Sequence, residues 1–250
     1  MTLRKRFGLL SLTPAVLLTF TANGYATEWN ASLGATGLWQ QSHVVGEDDR
    51  KKILPYINLA YEKFSVSTGG IGFTQPLNER NEISALVTLR HYPIDVDDNN
   101  ALRNFRERDN ATELTLKWST SLSSLNIDSS FATDISDKHQ GYEAKVKLSK
   151  PFKTQLGMFI PAFVVGYQSD KLVDYYYGVS QQESSNGFAA YEGDDTVISR
   201  LALTHIFPLG DHWQTITNVG YTNLGRGIKD SSIVERSDMW GGSLTVAYKF

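Results

Sequence analysis

The chain of 250 residues contains no cysteine. A lipid-modified N-terminal cysteine, structural disulfides and thiolate metal sites are thereby excluded together. Past its first residues it also has no apolar run approaching the roughly 18 to 20 residues of a membrane helix. A formal net charge of −3 gives no basic face for nucleic acid, so that class of partner is set aside. The usual groupings of catalytic residues are missing as well. There is no G-x-S-x-G elbow and no phosphate loop, and the five histidines (His43, His91, His139, His205, His212) form no i, i+4 pair with a carboxylate suited to zinc. No catalytic residue, cofactor or metal is expected, and the chain is read as a non-enzyme.

What is present starts with an export signal. Arg4, Lys5 and Arg6 form a basic segment, residues 7–20 an apolar one, and Gly24-Tyr25-Ala26 a small-residue cleavage site. The apolar run is too short to span a bilayer and contains Pro14, so residues 1–26 read as a signal peptide and the mature chain is expected to begin at Thr27.

The rest alternates with period two. In the last segment Trp240, Gly242, Leu244, Val246, Tyr248 and Phe250 share one face, and Met239, Gly241, Ser243, Thr245, Ala247 and Lys249 the other. Tyr142 to Ser149 and Glu113 to Trp118 repeat the pattern, and further strands are expected over 29–39, 83–89, 125–131, 156–167, 196–207 and 213–221. One such segment would suit the edge of a soluble sandwich. The set, with aromatics near strand ends, suits a membrane barrel whose outer face meets hydrocarbon. The inner face then carries Arg90, Glu113, Lys117, Asp128, Glu143, Lys145, Lys147 and Arg200.

Short connections at 77–81, 120–123, 151–154 and 208–211 alternate with long ones at 43–52, 93–109, 169–194 and 223–237, as periplasmic turns and outer loops do. Counting 53–74 as one bulged strand gives ten strands. The phase of the pattern flips at Glu62-Lys63, and a tight turn there would give twelve. The expected fold is therefore all-β: a single transmembrane antiparallel up-and-down barrel over 27–250, ten-stranded, with twelve as the alternative. Its expected place is the cell outer membrane, among lipid and lipopolysaccharide, and its terminal Phe250 suits recognition by the barrel assembly machinery.

Asp174-Tyr175-Tyr176-Tyr177-Gly178-Val179-Ser180, then Gly187, Ala190 and Tyr191, resemble the MipA/OmpV family of outer-membrane proteins, named for the MltA-interacting protein. Pro208 with Asp211-His212-Trp213, Gly220-Tyr221, Asp230-Ser231, Ile233-Val234, Gly242 and Tyr248 extend the likeness; Ser232 stands where many members carry proline. The resemblance implies an outer-membrane barrel similar to a scaffold that links a murein lytic transglycosylase to a murein synthase. Other relatives are described as porin-like or adhesive, so a narrow passive pore for small polar solutes is the alternative.

Three local features each admit a chemical reading. Asp95 to Asn100 opens like a calcium loop, but Asn100 replaces the glycine at position six and Arg106 the glutamate at position twelve, so it reads as a solvated acidic loop. Asp211-His212 could act as an acid and base pair, but its short turn places it on the periplasmic side. Tyr175, Tyr176 and Tyr177 could form a contact surface for a sugar or partner, or could pack the longest loop over the barrel mouth.

Overall fold

The structure, a computed structural model, describes residues 29–91, 94 and 99–250. The expected signal peptide, its cleavage point and residues 95–98 of the acidic loop lie outside the described residues.

Alternation becomes strands: β1 (Asn30–Gln40), β2 (Arg50–Tyr61), β3 (Phe64–Ser67), β4 (Gly70–Pro76), β5 (Asn81–Arg90), β6 (Ala111–Leu122) and β7 (Leu125–Asp134). After them come β8 (Tyr142–Ser149), β9 (Phe152–Thr154), β10 (Gly157–Gln168), β11 (Thr196–Leu209), β12 (Trp213–Asn223) and β13 (Asp238–Lys249). Neighbours pair antiparallel, and β13 pairs with β1 from Ser32↔Lys249 to Gln40↔Gly241, which closes the sheet on itself. β8 and the three-residue β9 lie on the same edge of β10, so β9 stands outside the circle. Twelve strands form the barrel.

The count of ten is thus corrected to twelve. The segment 53–74, taken as one bulged strand, is folded into parts of β2, β3 and β4. The phase flip at Glu62-Lys63 is a two-residue turn joining Tyr61 to Phe64, with Glu62 in the left-handed region at φ 50°. A second two-residue turn, Thr68-Gly69, joins Ser67 to Gly70. β3 has only four residues, about 13 Å of rise, so a rule that each strand should cross the bilayer conceals it.

Long connections (41–49, 91–110, 135–141, 169–195, 224–237) gather at one rim and short ones (62–63, 77–80, 123–124, 155–156, 210–212) at the other. Outward side chains are apolar and exposed, among them Ile53, Ile71, Leu116, Leu201 and Leu244. Aromatics ring both ends: Trp29 stacks on Tyr61 at 4.9 Å near the short-turn rim, and Tyr221 meets Trp240 at 5.2 Å near the other. A free sheet of this size would expose a row of unpaired amides along its first and last strands, and pairing β13 with β1 satisfies both.

Candidate functional site

Period two turns one side chain in two toward the lumen. On β5 to β8 this face is charged, and the strand register sets the charges side by side. Arg90 on β5 donates from Nε to Glu113 Oε1 at 2.7 Å and from Nη2 to Glu143 Oε2 at 2.7 Å. Lys145 Nζ reaches the same Glu143 oxygen at 2.6 Å, and Gln168 on β10 donates to the other at 2.8 Å. His139, from the loop after β7, lies 3.2 Å from Glu113. Nearer the short-turn rim, Asp128 on β7 sits between Lys117 of β6 at 3.1 Å and Lys147 of β8 at 3.2 Å, and accepts from Ser119 Oγ at 2.7 Å.

Glu113 and Glu143 are almost wholly buried. A lone buried carboxylate would cost several kcal/mol, and here each has at least one cation within hydrogen-bond reach. Arg200 on β11 faces a different wall. It lies over Gly220 and donates to Asn218 Oδ1 at 3.1 Å, and Asn218 in turn donates to Thr204.

The long loops pack on one another at their rim of the lumen. The longest forms α1 (Asp170–Tyr177), and the loop before β13 carries a short α2 (Arg226–Lys229). Leu172, Val173, Tyr176 and Tyr177 pack on Leu224 and Ile228 in one apolar core. Val44, Leu102, Phe105, Val179 and Ile233 form a second. The antiparallel bridge Val44↔Val234 ties two loops together, and Val179↔Tyr191 folds the longest loop back on itself. Polar links fix the rest: His43 Nε2 and the Tyr177 hydroxyl are 3.0 Å apart, Ser231 Oγ donates to Tyr177 O at 2.6 Å, and Arg108 Nη2 donates to Gly178 O at 2.7 Å. Burial lowers the His43 pKa to about 4, with the Arg50 charge adding to the effect, so its ring is neutral inside the cap.

Of the three tyrosines considered as a contact surface, Tyr176 and Tyr177 are core residues of the cap, 2% and 8% exposed. That corrects the surface to Tyr175 at most, whose hydroxyl accepts from Asp109 N–H at 2.9 Å. A helical stretch of apolar and aromatic residues buries whatever side faces the mouth. Two members of the charge network escaped the sequence analysis. Gln168 was legible, since it continues the inward phase of Val164 and Gly166; His139 arrives from a loop and left no periodic signal. Asp211 and His212 lie in the short turn before β12, where His212 stacks on Tyr248 at 5.3 Å and its Nδ1 is 3.1 Å from the Lys249 carbonyl.

Comparison with known proteins fits this architecture. YiaT of Escherichia coli K12 is 29% identical over 238 residues, covering 93% of this chain and 95% of its own. Outer membrane protein OmpV of Vibrio cholerae is 25% identical, covering 93% and 92%. The MltA-interacting protein of Escherichia coli K12 is 31% identical over 93 residues, 36% of this chain and 37% of that one. The barrel belongs in the outer membrane, so the long-loop rim is extracellular and the short-turn rim periplasmic. Residues 33–250 match the family described as MltA-interacting protein MipA, and the chain belongs to that family.

Proposed function

We propose that this protein is a closed outer-membrane barrel that anchors murein-remodelling enzymes, a lytic transglycosylase and a murein synthase, at the inner face of the outer membrane. The observation that carries the reading is the packing of the long loops on one another. Val44, Val173 and Ile233 are 0% exposed in their two apolar cores. Behind them Arg90, Glu113, Glu143 and Lys145 tie one wall of the lumen together. A barrel shut in this way offers location instead of passage, and no cofactor, metal or catalytic step has a part in it. The name of one relative, the MltA-interacting protein, supports the choice of partner. The membrane-facing partners are lipid and lipopolysaccharide, and the barrel assembly machinery would read the strand that ends in Phe250.

The periplasmic turns are two to four residues long. They offer far less than the roughly 800 Å² per side of a standard stable interface, so the anchoring contact is brief and borne by turns. Because the chain lacks cysteine, one placed at Asn78 or Gln155 is a unique attachment point for a photo-crosslinker. Adducts with a lytic transglycosylase are expected from both turns in intact cells, and none from Glu235 on the outer side. Failure of both periplasmic positions would remove the anchor reading.

A narrow pore for small polar solutes is the second reading, favoured by the charged lumen wall of β5 to β8. Planar-bilayer recording separates the two: the sealed barrel should show negligible conductance, and large stable steps from the intact protein would promote the pore.

A further inference from the structure

The wall of the barrel is incomplete on one side. β3 and β4 have four and seven residues, where a tilted spanning strand needs about 9 to 11. Their turn, Thr68-Gly69, therefore stops part of the way up. Above it β2 continues from Tyr56 to Arg50, and β5 over Leu89 and Arg90, with no partner strand on that side among the described residues. The two flanking strands stand up to about 14 Å apart, three strand spacings.

The chemistry of the edges matches a gap. Thr68 takes up both backbone groups of Ile57: its N–H donates to Ile57 O and its hydroxyl accepts from Ile57 N–H, each at 3.0 Å. Two residues further along that edge stands Pro55, which has no N–H to leave unpaired and is tolerated on edge strands for that reason. Two residues further again, Ile53 is 82% exposed, more than any other large apolar side chain among the described residues. The lumen beside the lower part of the gap is apolar, and the charged Arg90 of β5 stands at its upper end. Leu54 and Tyr56 turn inward from β2, and Leu86 of β5 lies over Gly72, where an added Cβ would be 3.1 Å from its Cγ. Lys51 and Lys52 are exposed at the extracellular end of the gap.

We infer that this gap is a lateral portal through which the hydrocarbon chain of an anionic single-chain amphiphile, of the fatty-acid type, passes between the outer leaflet and the lumen. With the long loops packed at the mouth, the gap in the wall is the direct way from the outer leaflet to the lumen for an apolar chain. Leu54, Tyr56 and Leu86 receive the chain, and Lys51 and Lys52 hold the anionic head at the interface. The inference is independent of the anchor reading, which concerns the periplasmic turns.

The test uses the full barrel in phospholipid nanodiscs with dibromostearate as the quencher. A fluorophore is attached to one engineered cysteine at a time: Leu54→Cys inside the gap, Ile53→Cys on the lipid face, and Val164→Cys in the lumen on the opposite wall. The Leu54 label should lose more than half of its fluorescence in a saturable manner, as the Ile53 label does, while the Val164 label keeps most of its own. A second variant lengthens the β3–β4 hairpin by six alternating Thr and Val residues to fill the gap, and should restore the Leu54 signal without changing Ile53. A Leu54 label quenched no more than Val164, equal quenching at all three sites, or quenching that survives the longer hairpin would overturn the portal. Disulfide-linked dimers through Ile53→Cys with Leu54 unquenched would overturn it too, by showing a second copy on the β2 edge.

Discussion

Glu143 shows how much one lumen residue can carry. It is 2% exposed and holds Arg90, Lys145 and Gln168 together. Glu143→Gln leaves two cations facing a neutral amide in a confined space, and should destabilise the barrel by about 3 kcal/mol, at the lower end of what breaking a buried pair costs. Lys138→Met removes an ion pair of similar length to Asp109, 2.6 Å, but on the open surface where water and salt screen it, and should leave stability almost unchanged. Urea unfolding in detergent micelles compares the two, and equal losses would mean that the network is no more than surface charge. His43 brings a pH dependence. Its folded pKa, about 4, is below the ordinary 6.5, so the cap favours the neutral ring. Above pH 6.5 nothing is lost. As pH falls toward 4 the unfolded or open form binds the extra proton, and the cap loses up to about 3 kcal/mol. The protection factors of the Val179 and Tyr191 amides, which bond each other within the cap, should therefore fall between pH 7 and pH 4.5 once the slower intrinsic exchange at low pH is divided out, and His43→Gln should flatten that response.

Elements differ in how far the sequence announces them. β8 and β13 were readable residue by residue, because each is long, faces lipid on one side and polar groups on the other, and obeys period two throughout. β3 and β4 were not. Glu62-Lys63 is not a turn-forming pair, and the left-handed conformation of Glu62 is imposed by its strands and not by its own preference. Gly69-Gly70 did mark the second turn, but a four-residue strand defeats an expectation built on bilayer thickness. The charged face was legible as a face, since alternation assigns Arg90 and Glu143 to one side. Their pairing depends on register, which single strands do not reveal. In the cap, α1 buries Tyr176 and Tyr177, which in the bare loop sequence can be read as loop packing or as a binding surface. Deleting residues 174–191 removes part of both cap cores, and should raise single-channel conductance from negligible to a measurable step if the cap is the seal. If conductance stays negligible until Glu143 and Lys145 are both neutralised, the charged wall is the seal.

At the scale of the whole molecule, twelve strands lie between small barrels filled by their own side chains and porins of 16 to 18 strands that hold open water, so side chains and loops decide what passes. The last strand is the natural place to disturb assembly. Phe250 donates its N–H to Ala31 O at 3.0 Å and is 68% exposed beside Tyr248, whereas Lys249 lies in the opposite phase. Deleting Phe250 should lower outer-membrane levels far more than Lys249→Gln does, and equal levels would argue against the terminal aromatic as an assembly signal. The pairing of β13 with β1 has a wider consequence. All other contacts in the circle join strands that follow one another along the chain, while this seam joins Thr36 to Thr245 across 209 positions. Nearly the whole wall can thus zip up from local hairpins, and one slow ring closure waits until both ends have formed. The ring itself has no preferred starting point. A circular permutant that links residue 250 to residue 29 and opens the chain at Thr68-Gly69 should refold in micelles to the same cylinder, with its late step moved to β3 and β4.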